Sequence, residues 1–134
     1  MYFLGIDPGK DKCGLALTDN QGEVILQKIV SPQDFEEELY DLIKRHDITV
    51  IIGDGTTSKK YIQILEQMGL KTVVVKESFS TIEARKLYFM ENGYGWQILL
   101  PYGLRFPQRP IDDYAARVLI KRYFKEVNTY KKDT

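Results

Sequence analysis

The pattern of apolar and polar positions near the N-terminus predicts three neighbouring strands. YFLGID, residues 2–7, is mostly apolar, and CGLALTD, residues 13–19, alternates with Leu15 and Leu17 on one face. A polar turn then leads into EVILQKIV, residues 23–30. Short turns between such segments are typical of antiparallel pairing, so we expect an antiparallel meander.

After residue 30 the pattern changes to helices and strands in alternation. Apolar residues recur at helical spacing after Ser31 and Pro32, which are typical of an N-cap and a first helical residue. The further predicted elements are a helix over about 32–46, a strand at 48–53, a helix ending at Gly69, a strand at 71–77, a helix from 80 to near Gly93 and a last helix over roughly 111–126. This order predicts an α/β fold with a mixed five-stranded sheet, in which strands 1–3 are antiparallel and the later strands parallel, and with helices on both faces.

Two segments lie outside this pattern. Residues 93–110 are rich in glycine and proline, and a loop of this length in a compact domain is often functional. Residues 127–134 are predicted to be a frayed tail.

Length and composition fit a single domain over residues 1–134. The chain is 43% hydrophobic and 28% charged, which is ordinary for a globular protein. Its one cysteine, Cys13, excludes an internal disulfide, and no apolar run approaches the ~20 residues that span a bilayer. The N-terminus also lacks the features of a signal peptide, so the expectation is a cytoplasmic protein without a membrane partner.

The net charge is zero, but charge is distributed unevenly. Residues 1–75 carry 8 Lys and Arg against 12 Asp and Glu, whereas residues 76–134 carry 11 against 7. The second half could therefore present a basic surface.

Carboxylates stand where two predicted strands end. Asp7 follows the first strand and Glu77 follows the apolar run of the fifth. If these strands are parallel, both side chains emerge at one edge of the sheet, where ligands bind in such folds.

The last helix supplies further acids. Asp112 is in helical phase with Ala116 and Leu119, which form the apolar stripe, so it should face inward. Asp113 is in phase with Arg117, on a face that looks solvated, and is a further candidate metal ligand.

Clustered carboxylates without histidine or cysteine select a hard cation such as Mg²⁺ or Mn²⁺. Two such ions suit phosphodiester hydrolysis, because one activates water and the other stabilises the leaving oxygen. In this scheme Asp7 bridges two ions, and Glu77 and Asp112 each hold one. Each acid also has a structural interpretation: Asp7 as a turn residue, Glu77 as a solvated strand end, and Asp112 with Asp113 as partners of the helix dipole.

Three ordered motifs resemble the RuvX/YqgF family of ribonuclease H-like proteins, described as Holliday-junction-resolvase-like and as the pre-16S rRNA nuclease. The motifs are LGIDPGKDKCGLALTD, VVVKESFSTIEARKL and PIDDYAARVLIKRYF, and together they cover nearly the whole chain in the right order. The resemblance implies a ribonuclease H-like fold, a metal-dependent endonuclease, and Asp7, Glu77 and Asp112 as the acidic catalytic residues.

The chain departs from the family pattern at two places. Its first motif reads Asp-Pro-Gly, closer to the RuvC resolvases than to the usual Asp-Tyr-Gly. The family's Asp-Glu-Arg is here Lys76-Glu77-Ser78, so the expected arginine is missing. Its loss leaves substrate preference open.

A nuclease also needs cations near its acids. Candidate phosphate contacts are the lysines in the turns after the first and fourth strands and the arginines of the long loop. These are Lys10, Lys12, Lys59, Lys60, Arg105 and Arg109. Taken one at a time, the lysines are more simply explained by an ordinary solvated surface. The aromatic residues of the loop, among them Tyr94 and Tyr102, suit base stacking, and packing of the loop onto the domain explains them equally well.

The leading hypothesis is an endonuclease acting on structured RNA or branched DNA. Cleavage of a junction would need two active sites, hence the expectation of a homodimer for that substrate. The alternatives are a non-cleaving nucleic-acid-binding module of the same fold and a nucleotide-binding relative of sugar kinases. The latter needs two such domains.

Overall fold

The fold is built on a five-stranded sheet with strand order β3-β2-β1-β4-β5. The computed structural model describes residues 1–133, with side chains described through residue 128. The elements are β1 (Tyr2–Pro8), β2 (Cys13–Asp19), β3 (Val24–Val30), α1 (Phe35–Arg45), β4 (Ile48–Gly53), α2 (Ser58–Gln67), β5 (Thr72–Val75), α3 (Ser80–Asn92) and α4 (Asp112–Asp133).

The pairing of the strands is mixed, as predicted. β1 pairs antiparallel with β2, and β2 antiparallel with β3, whereas β4 is parallel to β1 and β5 is parallel to β4. In this register Ile6 lies beside Ile52, and Gly53 lies beside Val75. The carboxyl ends of the three parallel strands therefore meet at one edge of the sheet.

Helices cover both faces of the sheet, which confirms the predicted layers. On one face Leu4 and Ile6 of β1 pack with α1 and α2 in a core that includes Phe35 and Leu65. On the other face Phe3 packs with α4. Because side chains alternate along a strand, β1 serves both cores and is buried from both sides.

α4 lies directly on the sheet, and two glycines allow this approach. A Cβ at Gly5 would overlap the carbonyl oxygen of Ala116, and a Cβ at Gly14 would overlap that of Asp112. Gly14 is also the residue paired with Asp7 across β1 and β2. The same close contact thus brings the start of α4 to the end of β1.

Several element ends differ from the sequence-based predictions. α1 begins at Phe35 rather than near residue 32, because the Ser31 hydroxyl donates to Asp34 Oδ2 at 3.0 Å instead of capping the helix. β5 ends at Val75, so Glu77 follows the strand by two residues.

The last helix is longer than predicted. α4 continues to Asp133, since residues 121–133 contain no glycine or proline to stop a helix. The predicted helix end near 126 was therefore wrong. The predicted fraying of residues 127–134 stays a prediction, and residue 134 lies outside the described residues.

The loop over 93–110 contains two short 3₁₀ segments, Gly95–Leu99 and Tyr102–Leu104. Within residues 1–133, no helix combines the length and the apolar content that crossing a bilayer requires.

The packing of α4 predicts the effect of a methyl group at Gly14. Gly14→Ala should lower the free energy of unfolding by roughly 2–3 kcal/mol, because backbone atoms of Asp112 cannot yield as a flexible side chain can. Gly103→Ala is the matched control, since a Cβ there meets open space. Urea denaturation of the three proteins measures the difference, and equal stability of both variants would contradict the close contact.

Candidate active site

Acidic residues gather at the carboxyl edge of the parallel strands. Asp7 is the penultimate residue of β1, Asp54 directly follows β4, and Glu77 follows β5 by two residues. Asp112 begins α4 above the same edge. The predicted trio of Asp7, Glu77 and Asp112 is thus brought to one region from three distant parts of the chain.

Asp7 is the most perturbed acid of this group. Burial, and then the negative charges of Asp112 and Glu77, together raise the pKa of its carboxyl group to about 7. Desolvation and like charge both disfavour the ionised form. Asp7 therefore lies in a region that would be stabilised by a bound cation.

Glu77 is held from three sides. Its backbone N–H donates to Asp54 Oδ1 at 3.0 Å, and its carboxylate occupies the space that side chains at Gly53 and Gly55 would fill. Burial, and then the charge of Asp54, raise the pKa of Glu77, whereas a backbone hydrogen bond from Gly55 acts in the opposite direction. Its Oε2 atom is buried without a hydrogen-bond partner among the described residues. An unpartnered buried carboxylate oxygen is costly unless something binds it.

Asp54 was missed by the sequence analysis. The signal was present, since this acid directly follows the strand predicted at 48–53. Its carboxylate accepts a hydrogen bond from the backbone N–H of Glu77 and so orients that residue.

Phe79 was missed as well. It is the only non-glycine residue with positive φ in the described part of the chain, at 63°, and its side chain is 75% exposed. Both properties are unfavourable for a phenylalanine, and strained residues concentrate at functional sites. Phe79 lies two residues after Glu77 and directly precedes α3.

The link between β5 and α3 is anchored to α4. Arg122 donates from Nη1 to the carbonyl oxygen of Lys76 at 2.7 Å and from Nη2 to Glu83 Oε1 at 3.0 Å. The connection that carries Glu77 is therefore fixed by an arginine from another element.

The expectation that Asp113 lies on a solvated face was wrong. Its side chain is buried rather than solvated, because Arg109 donates to both of its oxygens at 3.1 Å and Gln27 donates to Oδ2 at 2.7 Å. With both oxygens occupied by these donors, Asp113 has a structural role and is left out of the proposed metal site. Helical phase alone could not show that Gln27, on β3, would meet it.

A network around Tyr114 extends this anchor. The guanidinium groups of Arg109 and Arg117 each lie 5.3 Å from the Tyr114 ring centroid, and Arg117 also binds Gln27 and Glu91. These contacts fix the first turn of α4, and with it the position of Asp112.

The predicted nucleic-acid contacts divide into two groups. Lys10, Lys59 and Lys60 are exposed and line one cleft beside the end of β1, and Lys12 is exposed in the adjacent turn. Thr57 of this cleft donates to the carbonyl oxygen of Pro8 at 3.0 Å, which ties the start of α2 to β1. The structure thus places these lysines at the edge that holds the acids.

The two arginines of the long loop are used differently. Arg105 donates to the carbonyl oxygens of Leu100 and Ile98, and Arg109 binds Asp113. Arg109 remains 45% exposed at its side chain, yet its donors face a buried carboxylate. Arg105 therefore stabilises the loop and Arg109 the first turn of α4, and we do not propose either as a phosphate contact.

Cys13 is fully buried at the start of β2. Burial, and then the charges of Asp7 and Asp112, raise the pKa of its thiol to about 12. The thiol is therefore neutral near pH 7 and is no nucleophile.

The acid set fits a hard divalent cation by its chemistry. Oxygen ligands, an unpartnered Glu77 oxygen and the raised pKa of Asp7 all favour a positive charge at this edge. Among the described residues, however, no group of three or more His, Cys, Asp or Glu side chains is arranged so that it could hold a metal ion. The donors are present, but their side chains do not form a preassembled ligand group.

Comparisons with known proteins agree on the fold. Thermus thermophilus RuvC in complex with a Holliday junction substrate is similar with a TM-score of 0.55 and 16% identity, covering 89% of each chain. A second Thermus thermophilus RuvC structure is similar with a TM-score of 0.54 and 15% identity, covering 92% of this chain and 94% of the other. The chain therefore has the ribonuclease H-like fold that its sequence predicts.

A relative with a functional name is similar to this chain in sequence over nearly its whole length. A protein of Carboxydothermus hydrogenoformans named "Putative pre-16S rRNA nuclease" is 29% identical over an alignment of 141 positions. The alignment covers 92% of this chain and 95% of the relative. No protein-family model matches the chain. The resemblance to the RuvX/YqgF family that three motifs predicted is confirmed by this similarity.

The Asp113 network predicts a loss of stability on truncation. Asp113→Ala should lower the free energy of unfolding by about 2–3 kcal/mol, because it leaves Arg109 and Gln27 without their acceptor. Asp41→Ala, at an exposed position of α1, is the control and should change stability little. Urea denaturation distinguishes the two, and equal losses would show that the network carries no stability.

The raised pKa of Asp7 predicts how stability depends on pH. The folded protein retains a proton that the unfolded chain, with the ordinary value of 3.8, releases. The free energy of unfolding without metal should therefore fall as pH rises from about 4 to about 7, by roughly 2–4 kcal/mol from this group.

Asp7→Asn should remove most of this decrease, and Mg²⁺ or Mn²⁺ should reduce it in the wild type. Urea denaturation across this pH range, with and without a chelator, tests both. Parallel pH profiles for the wild type and the variant would contradict the raised pKa.

Proposed function

We propose that the protein is a divalent-metal-dependent endonuclease that hydrolyses phosphodiester bonds in structured nucleic acid. The observation that carries this proposal is the convergence of Asp7, Glu77 and Asp112 at one edge, where their charges raise the pKa of Asp7. The relative named as a pre-16S rRNA nuclease and the RuvC fold support it.

Asp7, Glu77 and Asp112 would hold Mg²⁺ or Mn²⁺, with two ions as the expected number. Such ions lower the pKa of an attacking water and stabilise the leaving oxygen. Because the side chains are not preassembled, binding requires them to rotate toward a shared position, and the buried Oε2 of Glu77 would gain its missing partner.

The residues of this chain have distinct parts in the reaction. The partly buried carboxylate of Asp7 would supply negative charge to a bound cation. Asp54 and the backbone near Gly55 orient Glu77, and the Asp113 network holds the start of α4, which carries Asp112. These contacts fix the backbone that carries the acids, so that only their side chains need to rotate when a cation binds.

The substrate is proposed to be structured RNA or branched DNA. Lys10, Lys59 and Lys60 line a cleft at the turn that follows β1 and can contact phosphates, while Phe79, two residues after Glu77, has an exposed ring. The relative's name favours an RNA precursor, whereas one RuvC structure contains a Holliday junction. Cleavage assays on both substrates decide between them.

Removal of Asp7 tests the site. Asp7→Asn should lower the rate of metal-dependent cleavage by ~10³-fold or more, because the metal contributes several kcal/mol to the transition state. The measurement compares single-turnover cleavage of a labelled RNA stem-loop and a four-way DNA junction, each with Mn²⁺ and with Mg²⁺. Asp41→Asn, distant from the acids, should retain the wild-type rate.

Retained activity in Asp7→Asn would refute the site. If neither the wild type nor the variant cuts any of these substrates while both bind them equally, the protein is the non-cleaving binding module instead.

A further inference from the structure

A pocket between α3 and the two 3₁₀ segments is separate from the acidic edge. Its volume is about 170 Å³, which is room for one flat group rather than for a whole drug-sized ligand. Its lining combines aromatic, aliphatic and cationic side chains, among them Ile82, Arg85, Lys86, Phe89, Tyr94, Tyr102 and Arg105. None of its lining residues is acidic, so the pocket suits a ligand with a flat ring and negative charge.

One wall of the pocket is a continuous stack of flat groups. Tyr94 stacks on Phe89 with ring centroids 4.5 Å apart and an interplanar angle of 22°. The Arg105 guanidinium lies 4.5 Å from the Tyr94 centroid and 5.6 Å from that of Tyr102. Tyr102 ends the stack and is 67% exposed, so one of its sides is open to a further ring.

The wall is held rigidly by hydrogen bonds behind it. Arg105 donates to the carbonyl oxygens of Leu100 and Ile98 at 3.1 and 3.2 Å. Gln97, which is buried, donates to the carbonyl oxygen of Phe106 at 2.9 Å and accepts from its N–H at 2.8 Å. The loop is therefore ordered before any ligand binds, which lowers the entropic cost of binding.

The opposite side of the pocket carries two exposed cations. Arg85 and Lys86 extend from α3, and neither has a hydrogen bond or an ion pair within the part of the chain that the structure describes. By contrast, the acids of α3, Glu91 and Glu83, are already paired with Arg117 and Arg122 of α4. The two α3 cations remain available for an anion.

The position of the pocket connects it with the acidic edge. α3 begins three residues after Glu77, and Arg85 and Phe89 lie five and nine residues into it. At 1.5 Å per residue, the pocket spans a region about 8–14 Å along the helix from its first residue. A nucleic-acid strand at the acids could therefore also reach the pocket.

We propose that this pocket binds one unpaired nucleotide of the substrate strand, with its base stacked on Tyr102 and its phosphate near Arg85 and Lys86. The inference rests on the proposed function and deepens it, since it predicts a substrate with an unpaired nucleotide close to the scissile phosphate. Stacking tolerates any base, because every base has a π-face. A fully paired duplex cannot offer its base to the pocket.

Binding of matched hairpins tests the inference. The probes are fluorescent RNA and DNA hairpins with one unpaired adenosine, and the same hairpins with an abasic nucleotide at that position. Anisotropy is measured with a chelator, so that no cleavage occurs. The wild type should bind the adenosine hairpin about tenfold or more tightly than the abasic one, a preference that one stacked base supplies.

Variants of Tyr102 and of Arg85 distinguish the contribution of base stacking from that of charge. Tyr102→Ala should remove the preference for adenosine, whereas Tyr102→Phe should retain it. Leu99→Ala is the matched control, since Leu99 is 86% exposed and does not line the pocket. Arg85→Ala should weaken binding of both hairpins. It should also reduce by about one the number of ions released on binding, as measured from the dependence of affinity on salt concentration.

Several outcomes would overturn the inference. These are equal affinity of the wild type for both hairpins, and a preference that survives in Tyr102→Ala. A third is a change in the sedimenting mass of the free protein on Tyr102→Ala, which would show that the pocket is covered by a second copy of the chain.

The binding result is independent of cleavage. If the preference is absent while Mn²⁺-dependent cleavage is normal, only this inference fails. If the preference is present while no substrate is cut, only the proposed function fails.

Discussion

The direct packing of α4 on the sheet is the constraint on which the acidic edge depends. At Gly5 and Gly14 the helix backbone occupies the space that a side chain would fill. Since Gly14 is paired with Asp7 and contacts Asp112, the same contact determines the separation of these two acids. A larger residue at either glycine would lift the helix and with it one third of the proposed site.

Bringing carboxylates together is unfavourable, and the surrounding structure compensates for it. Burial and the neighbouring acids raise the pKa of Asp7, and burial raises that of Glu77. The opposing stabilisation comes from the two cores and from anchors such as the contact of Arg109 with Asp113. The acids are thus held in an arrangement whose mutual repulsion a bound cation would relieve.

Cations in this chain have two roles that composition cannot separate. Arg105 and Arg109 look like phosphate contacts in the sequence, yet they organise the loop and the first turn of α4. Lys59, Arg85 and Lys86 remain exposed beside concave surfaces. Arginine suits the first role because its planar group forms several directed hydrogen bonds and also stacks on aromatic rings.

The sequence by itself determined the strand and helix order, the mixed sheet and the positions of Asp7, Glu77 and Asp112, because these depend on local periodicity and on strand ends. Only the tertiary structure decided the burial of Asp113, the role of Asp54 and the aromatic wall at Tyr102. Asp113 meets a glutamine 86 residues away, and Asp54 acts on a residue 23 positions later. Contacts of this kind arise from the packing of distant segments, which no local pattern records.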